Sequence, residues 1–133
     1  MPGAPGAVRR AGPGYRAKVR ALSPLTDVEK AVALRVLELT DAPELDKLRE
    51  QVEVAVATAP CSCPCPSVGL AVDPDRAQPT AHEGRLDLEV YYETGAVMVW
   101  VDDGWLSNLE TWWWSDDPPQ EFPQLGALRL SPP

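Results

Sequence analysis

The chain contains no isoleucine, one asparagine, one histidine and one phenylalanine, and its three cysteines all fall between positions 61 and 65. Each scarcity excludes something. With His82 alone and no nucleophilic-serine motif, the carboxylates have no partner for acid–base or triad chemistry, so no catalytic residue is assigned and an enzyme is not the expected class. No second cysteine pair exists to complete the paired thiolates of a common zinc framework. No apolar run approaches the roughly 20 residues that cross a bilayer. The start, Met1-Pro2-Gly3-Ala4-Pro5-Gly6, lacks the charged opening and apolar core of a signal peptide; a cytoplasmic protein with no membrane partner is expected. The missing isoleucine, the single asparagine and the excess of arginine over lysine, nine to three, mark a GC-rich coding sequence. Part of the proline and alanine content is therefore codon supply, and fifteen prolines do not demand disorder throughout.

What is present suits one domain, since 133 residues lie within the usual single-domain range. The net charge of −8 is unevenly spread. Residues 1–20 carry Arg9, Arg10, Arg16, Lys18 and Arg20 with no acid; residues 21–133 keep seven basic against twenty acidic residues, net −13. The folding part is thus strongly acidic, which disfavours nucleic acid and suits either simple solubility or a basic partner surface. Residues 1–23, rich in Gly, Pro and Arg, bury too little to offset the entropy of ordering and are expected to form a disordered basic arm. Residues 24–128 form the domain, and 129–133 a disordered tail.

Patterning predicts an α+β fold, with two N-terminal helices packed on an antiparallel sheet of about five strands that ends in a three-stranded meander. Thr26 and Glu29 form a capping-box signature ahead of Val28, Val32, Val36 and Leu39. Asp41, Pro43 and Glu44 repeat the start signal before the stripe Leu45, Leu48, Val52. At Gln51 the period changes: Val52, Val54 and Val56 alternate as a strand closed by Pro60. Val68, Leu70 and Val72 make the next strand, and residues 74–85 a loop expected to be the most mobile internal segment. Leu86–Glu93, Ala96–Val101 and Trp105 onward follow, joined by Thr94-Gly95 and Asp103-Gly104 turns. Ala96–Val101, apolar on both faces, reads as a central strand covered on both sides. Ser107-Asn108 between Leu106 and Leu109 breaks the alternation as a β-bulge does. Phe122, Leu125 and Leu128 are the apolar anchors of the tail.

Two clusters carry chemistry. Cys61-Ser62-Cys63-Pro64-Cys65-Pro66, if extended, projects three thiols from one side. Three thiolates suit Zn²⁺ or Cu⁺, with His82 as the fourth ligand and Asp73 or Asp75 behind it. The same residues also fit a redox pair or reduced, structural cysteines at a strand turn. The second cluster is Trp112-Trp113-Trp114, flanked by Glu110, Asp116 and Asp117. Alternation sends Trp113 to one side and its neighbours to the other, so one face shows indole to a partner unless the Pro-rich tail covers it through Pro118, Pro119 and Phe122. A calcium loop is excluded by the spacing of Asp102, Asp103 and Glu110.

The segments Cys61–Val68, Asp103–Glu110 and Asp116–Pro123 resemble those of a group of short uncharacterised actinobacterial proteins. The resemblance spans about residues 24–126 and implies no established activity, cofactor or site. The leading expectation is a small acidic protein-interaction module, inhibitor- or immunity-like by analogy, that uses Glu110, Trp112, Trp113, Trp114, Asp116 and Asp117. The alternative is a thiolate metal-binding or redox module at Cys61, Cys63 and Cys65.

Overall fold

The computed structural model describes residues 22–60 and 65–133, so the expectations for residues 1–21 of the basic arm and for Cys61 and Cys63 lie outside the described residues, while Ser23, counted with that arm, belongs to a strand. The first helix, α1 (Asp27–Leu39), starts where its capping box predicts. Glu29 N–H donates to Thr26 Oγ1 (3.1 Å) and Thr26 N–H to Glu29 Oε1 (2.9 Å), so two helix-end donors are satisfied reciprocally.

Asp41, expected to start the second helix, instead stops the first. It adopts φ 51°, while Ala42 N–H reaches Leu37 O and Asp41 N–H reaches Glu38 O, both at 3.1 Å. This is a Schellman ending with aspartate in the left-handed position usually given to glycine. The second helix, α2 (Leu45–Val54), has Glu44 at its N-cap in a left-handed conformation with no side-chain cap bond. The second capping box therefore does not form. Glu44 turns its carboxylate to Ala81 N–H (2.6 Å) and Lys47 (3.0 Å) instead.

The expected change of period at Gln51 comes too early. Helix α2 runs on to Val54, and the strand is β2 (Val56–Pro60). Leu48 and Val52 lie on one helical face and both are fully buried, so packing overrides the strand preference of valine.

The sheet has six antiparallel strands where about five were expected. They are β1 (Ser23–Pro24), β2, β3 (Val68–Ala71), β4 (Arg85–Tyr92), β5 (Gly95–Asp102) and β6 (Trp105–Trp113), in spatial order β1-β2-β3-β6-β5-β4. The extra member is the two-residue β1, whose Ser23-Pro24 carries no alternation to read. Both helices pack on one face. Val32, Val36 and Leu37 of α1 and Leu48 and Val52 of α2 meet Val90, Val97, Val99, Val101 and Leu109 of the sheet.

The bulge lies where the sequence places it: Trp100 pairs with Asn108 and Val101 with Leu106, leaving Ser107 unmatched while Leu106 and Leu109 both point inward. Asp103 (φ 49°) and Gly104 (φ 87°) form the two-residue turn between β5 and β6, with positive φ at both central positions. The preceding hairpin turns at Glu93-Thr94. Gly95 already belongs to β5, where a Cβ would lie 2.1 Å from Trp112 O.

The loop at 74–85, expected to be mobile, is tied down at several points. Gln51, completely buried on α2, donates from Nε2 to Gln78 O and Gly104 O and accepts from Leu106 N–H at Oε1, all at 2.9 Å. Thr80 N–H donates to Gly104 O (3.0 Å), and Gly84 N–H to Asp103 Oδ1 (2.7 Å). The tail is also held. Phe122 and Leu128 are buried on the helical side, Leu125 is exposed, and Arg129 exchanges two backbone hydrogen bonds with Tyr91 at the edge of β4.

Gln51→Ala should cost on the order of 3 kcal/mol, because it removes three hydrogen bonds and strands the buried Leu106 N–H, while Gly104 O keeps Thr80 N–H. Urea unfolding of the variant reads this directly; a loss below 1 kcal/mol, about the net value of one ordinary hydrogen bond, overturns the role given to Gln51.

Candidate binding face

The face of the sheet turned away from the helices carries Arg85, Asp87, Glu89 and Tyr91 from β4, Ala96, Met98, Trp100 and Asp102 from β5, and Trp105, Asn108, Glu110 and Trp112 from β6. Register sets them in rows. Arg85, Asp102 and Trp105 stand side by side at one end; Glu89, Met98 and Glu110 lie in the middle; Tyr91, Ala96 and Trp112 occupy the other end. β3 adds only Gly69 and Ala71, so the face is flat beside β6. Four carboxylates face one guanidinium here.

At the first end Arg85 is fully engaged. Its Nε and Nη2 bond the two oxygens of Asp102 (2.8 and 3.3 Å), and its guanidinium carbon sits 4.2 Å from the centre of the Trp100 ring. Ser107, the bulged residue, donates its hydroxyl to Asp102 as well. The Arg85 and Ser107 hydrogen bonds hold the Asp102 carboxyl below its ordinary range. The Trp100 indole N–H, shielded from solvent, has no partner among the described residues.

The opposite end has the same kinds of group, with Arg129 bridged to Tyr91 at the sheet edge. Trp112 and Trp114 meet edge to face, ring centres 5.3 Å apart, and are 37% and 49% exposed. Glu89 receives the Trp112 indole N–H (3.1 Å) and the Tyr91 hydroxyl (2.9 Å). Glu110 is half-buried and makes no hydrogen bond among the described residues; desolvation pushes its carboxyl above the ordinary value, against a weaker pull from Arg85.

Of the residues singled out by sequence, Glu110 and Trp112 lie on this face and Trp114 at its end. Trp113 points to the helical side and is half-buried. Asp116 and Asp117 are exposed in the turn beyond β6, where the Ser115 hydroxyl donates to Asp117 O (3.1 Å). The tail does not shield the indoles, because Phe122 is buried with the helical core instead. Sequence reasoning groups Trp100 and Tyr91 with the tryptophans but missed Arg85 and Glu89 as members of the cluster; their outward parity on β4 was the available signal.

Cys65 lies at the Trp112 end of the strands. Cys65 is disulfide-bonded; the only other cysteines, Cys61 and Cys63, are outside the described residues. Ser67 Oγ lies 3.4 Å from Cys65 Sγ and accepts Thr111 N–H (2.9 Å), seating the start of β3 against β6. An open cleft of about 450 Å³ beside it is lined by Thr26, Val28, Glu29, Cys65, Glu121 and Phe122. His82 sits in the loop next to Gly84 and Asp103, at the other end of β6, roughly 20–25 Å away by strand rise. The structure does not bring His82 to Cys65. Among the described residues no three His, Cys, Asp or Glu side chains are placed to hold an ion, and no helix is long and apolar enough to cross a membrane.

No family model, curated protein or solved structure matches the chain.

Glu110→Gln should raise stability at neutral pH. Because the folded-state pKa is raised, the penalty on the carboxylate is absent below the ordinary carboxyl value, grows as pH climbs through the raised value and stays constant above it. Chemical unfolding of both proteins between pH 4 and 8 should show the advantage of the variant vanishing at the acid end. A pH-independent difference overturns the desolvation account.

Proposed function

We propose that the protein is an interaction module whose outer sheet face binds a basic protein surface, with Trp112 and Trp114 as anchors and Glu89 and Glu110 as their charged neighbours. The observation that carries this reading is the exposed indole pair at the acidic end of the sheet. Large aromatics are costly to leave in water and dominate the energetics of interfaces. The charge balance of residues 21–133 suits a partner rich in lysine or arginine. An inhibitor or immunity-type protein that neutralises a basic target is one instance of this class, and a cytoplasmic setting fits it.

Calorimetric titration with an arginine-rich peptide, against a glutamate-rich peptide of equal length, tests the reading. Trp112→Ala and Trp114→Ala should each weaken binding about tenfold, typical of a central aromatic anchor, while exposed Val28→Ala on α1 leaves it unchanged. Affinity should fall with added salt. No saturable binding at low ionic strength, or equal binding by all variants, overturns it.

A second reading rests on the bond at Cys65. In a reducing cytoplasm a disulfide is usually transient and redox-active, and three cysteines sharing one internal bridge leave one thiol within reach of it. On this reading the segment cycles between disulfide and dithiol, two electrons and two protons coming from a small thiol pair that is itself oxidised to its disulfide. Equilibration against glutathione buffers, read by thiol alkylation and mass, should give one reversible two-electron transition that Cys65→Ser abolishes. A chain with three alkylatable thiols at every poise overturns it.

A further inference from the structure

The geometry points to an occupant of this face within the chain itself: the basic segment 1–20 docks across the outer face and seats an arginine beside Trp112, Trp114 and Glu110. This rests on the proposed reading of the face and adds its regulation, since the segment then competes with an external basic partner.

Three independent features lead there. The first is direction. Ser23 pairs with Ala57 and Pro24 with Val56, β2 runs antiparallel to β3, and Val68 pairs with Leu109. Going from Pro24 back to Ser23 is therefore travel in the same sense as β6 from Trp105 to Trp113. Traced backward, β1 therefore points toward the end that holds the indole pair.

The second is reach. β1 lies three strand positions from β6, about 15 Å, and Ser23 is level with the middle of β6, some 15 Å short of Trp112, a diagonal of about 20 Å. The residues from Ser23 back to Arg16 extend over about 23 Å. Arg16 is thus the first arginine able to reach the indoles and Glu110 beside them, the carboxylates of β4 and β5 lying beyond β6.

The third is chemistry. Five cations and no acid lie in residues 1–20, against Asp87, Glu89, Asp102 and Glu110 on a face where β4, β5 and β6 supply Arg85 alone and Arg129 is bridged to Tyr91 at the far edge. That face already shows how it receives a guanidinium, in the way Arg85 lies over Trp100 and is held by Asp102. Trp112 and Trp114, with Glu110 beside them making no hydrogen bond among the described residues, offer the same combination of ring and carboxylate.

The test compares the full-length chain with a full-length variant in which Arg9, Arg10, Arg16, Lys18 and Arg20 are all glutamine. Urea unfolding of the variant, matched to that of the native chain, establishes that its packing is kept before the resonances are compared. The indole N–H resonances of Trp112 and Trp114 should move in the variant, while that of Trp105, at the far end of β6, stays. A synthetic peptide of residues 1–21 added to the variant should restore them. Raising the salt on the native chain should reproduce the movement without any substitution. The arginine-rich peptide should bind the variant about tenfold more tightly, as expected when a competitor occupying about nine-tenths of the sites is removed.

Unmoved indole resonances overturn the proposal. Movement that depends on protein concentration assigns the contact to the segment of a second copy and overturns the intrachain form. Equal peptide affinity for both chains with unmoved resonances defeats this inference and leaves the binding face standing. Moving resonances with no peptide binding to either chain support the intrachain contact and defeat the partner reading.

Discussion

One buried amide holds the two halves of this fold in register. Gln51 has no solvent exposure, and its side chain reaches the 73–84 loop, the β5–β6 turn and the first turn-proximal N–H of β6 at once. Buried polar groups left unpaired are costly, so all three partners must arrive together. Gly104 closes the same junction from the other side, because a Cβ there would lie 2.2 Å from Thr80 O. With α2 fixed to the start of β6, the helices can cover only one face of the sheet.

That one-sided cover explains the contrast between the faces. The helical side is aliphatic, finished at its margins by Tyr92, Phe122 and Leu128. The other side has no described element laid over it and is finished by its own side chains: Arg85 over Trp100, Glu89 joining Tyr91 to Trp112, Trp114 against Trp112. Such self-contained polar–aromatic pairing keeps a β-surface wet without leaving it featureless. It also explains how Ala96 and Met98 tolerate an outward position: their neighbours lean over them, so an apolar run on both faces need not mean cover by a second layer.

The sequence declares its elements best where local chemistry and packing agree. Thr26 and Glu29 name the start of α1, Asp103-Gly104 names a turn, and Leu106 to Leu109 betrays the bulge. It misleads where one residue type serves two purposes. Asp41 and Glu44 look like caps because acids favour helix starts, yet here both take left-handed backbone and Glu44 works across space on Ala81. Val52 and Val54 look like strand because valine favours strands, but the position of Leu48 one turn earlier decides the matter. The 74–85 loop looks free because its composition is polar, and Gln51, far off in the sequence, cannot be seen to hold it. Of the binding face, β6 was legible as a run of indoles; the contributions of β4 and β5 required the register between strands.

The unmatched Ser107 has a consequence larger than a local kink. Counting along β6 from Leu106, strict alternation assigns Trp112 and Trp114 to the helical side and Trp113 to the outside. The extra residue inverts that assignment for everything after it. Which indoles meet the outside world is therefore a matter of odd or even, settled by one inserted position. A chain of this length that flattened the bulge would turn the other indoles outward, whereas one shortened by Ser107 would pair Leu106 and Asn108 with Val101 and Trp100 as plain neighbours and keep the same indoles outside.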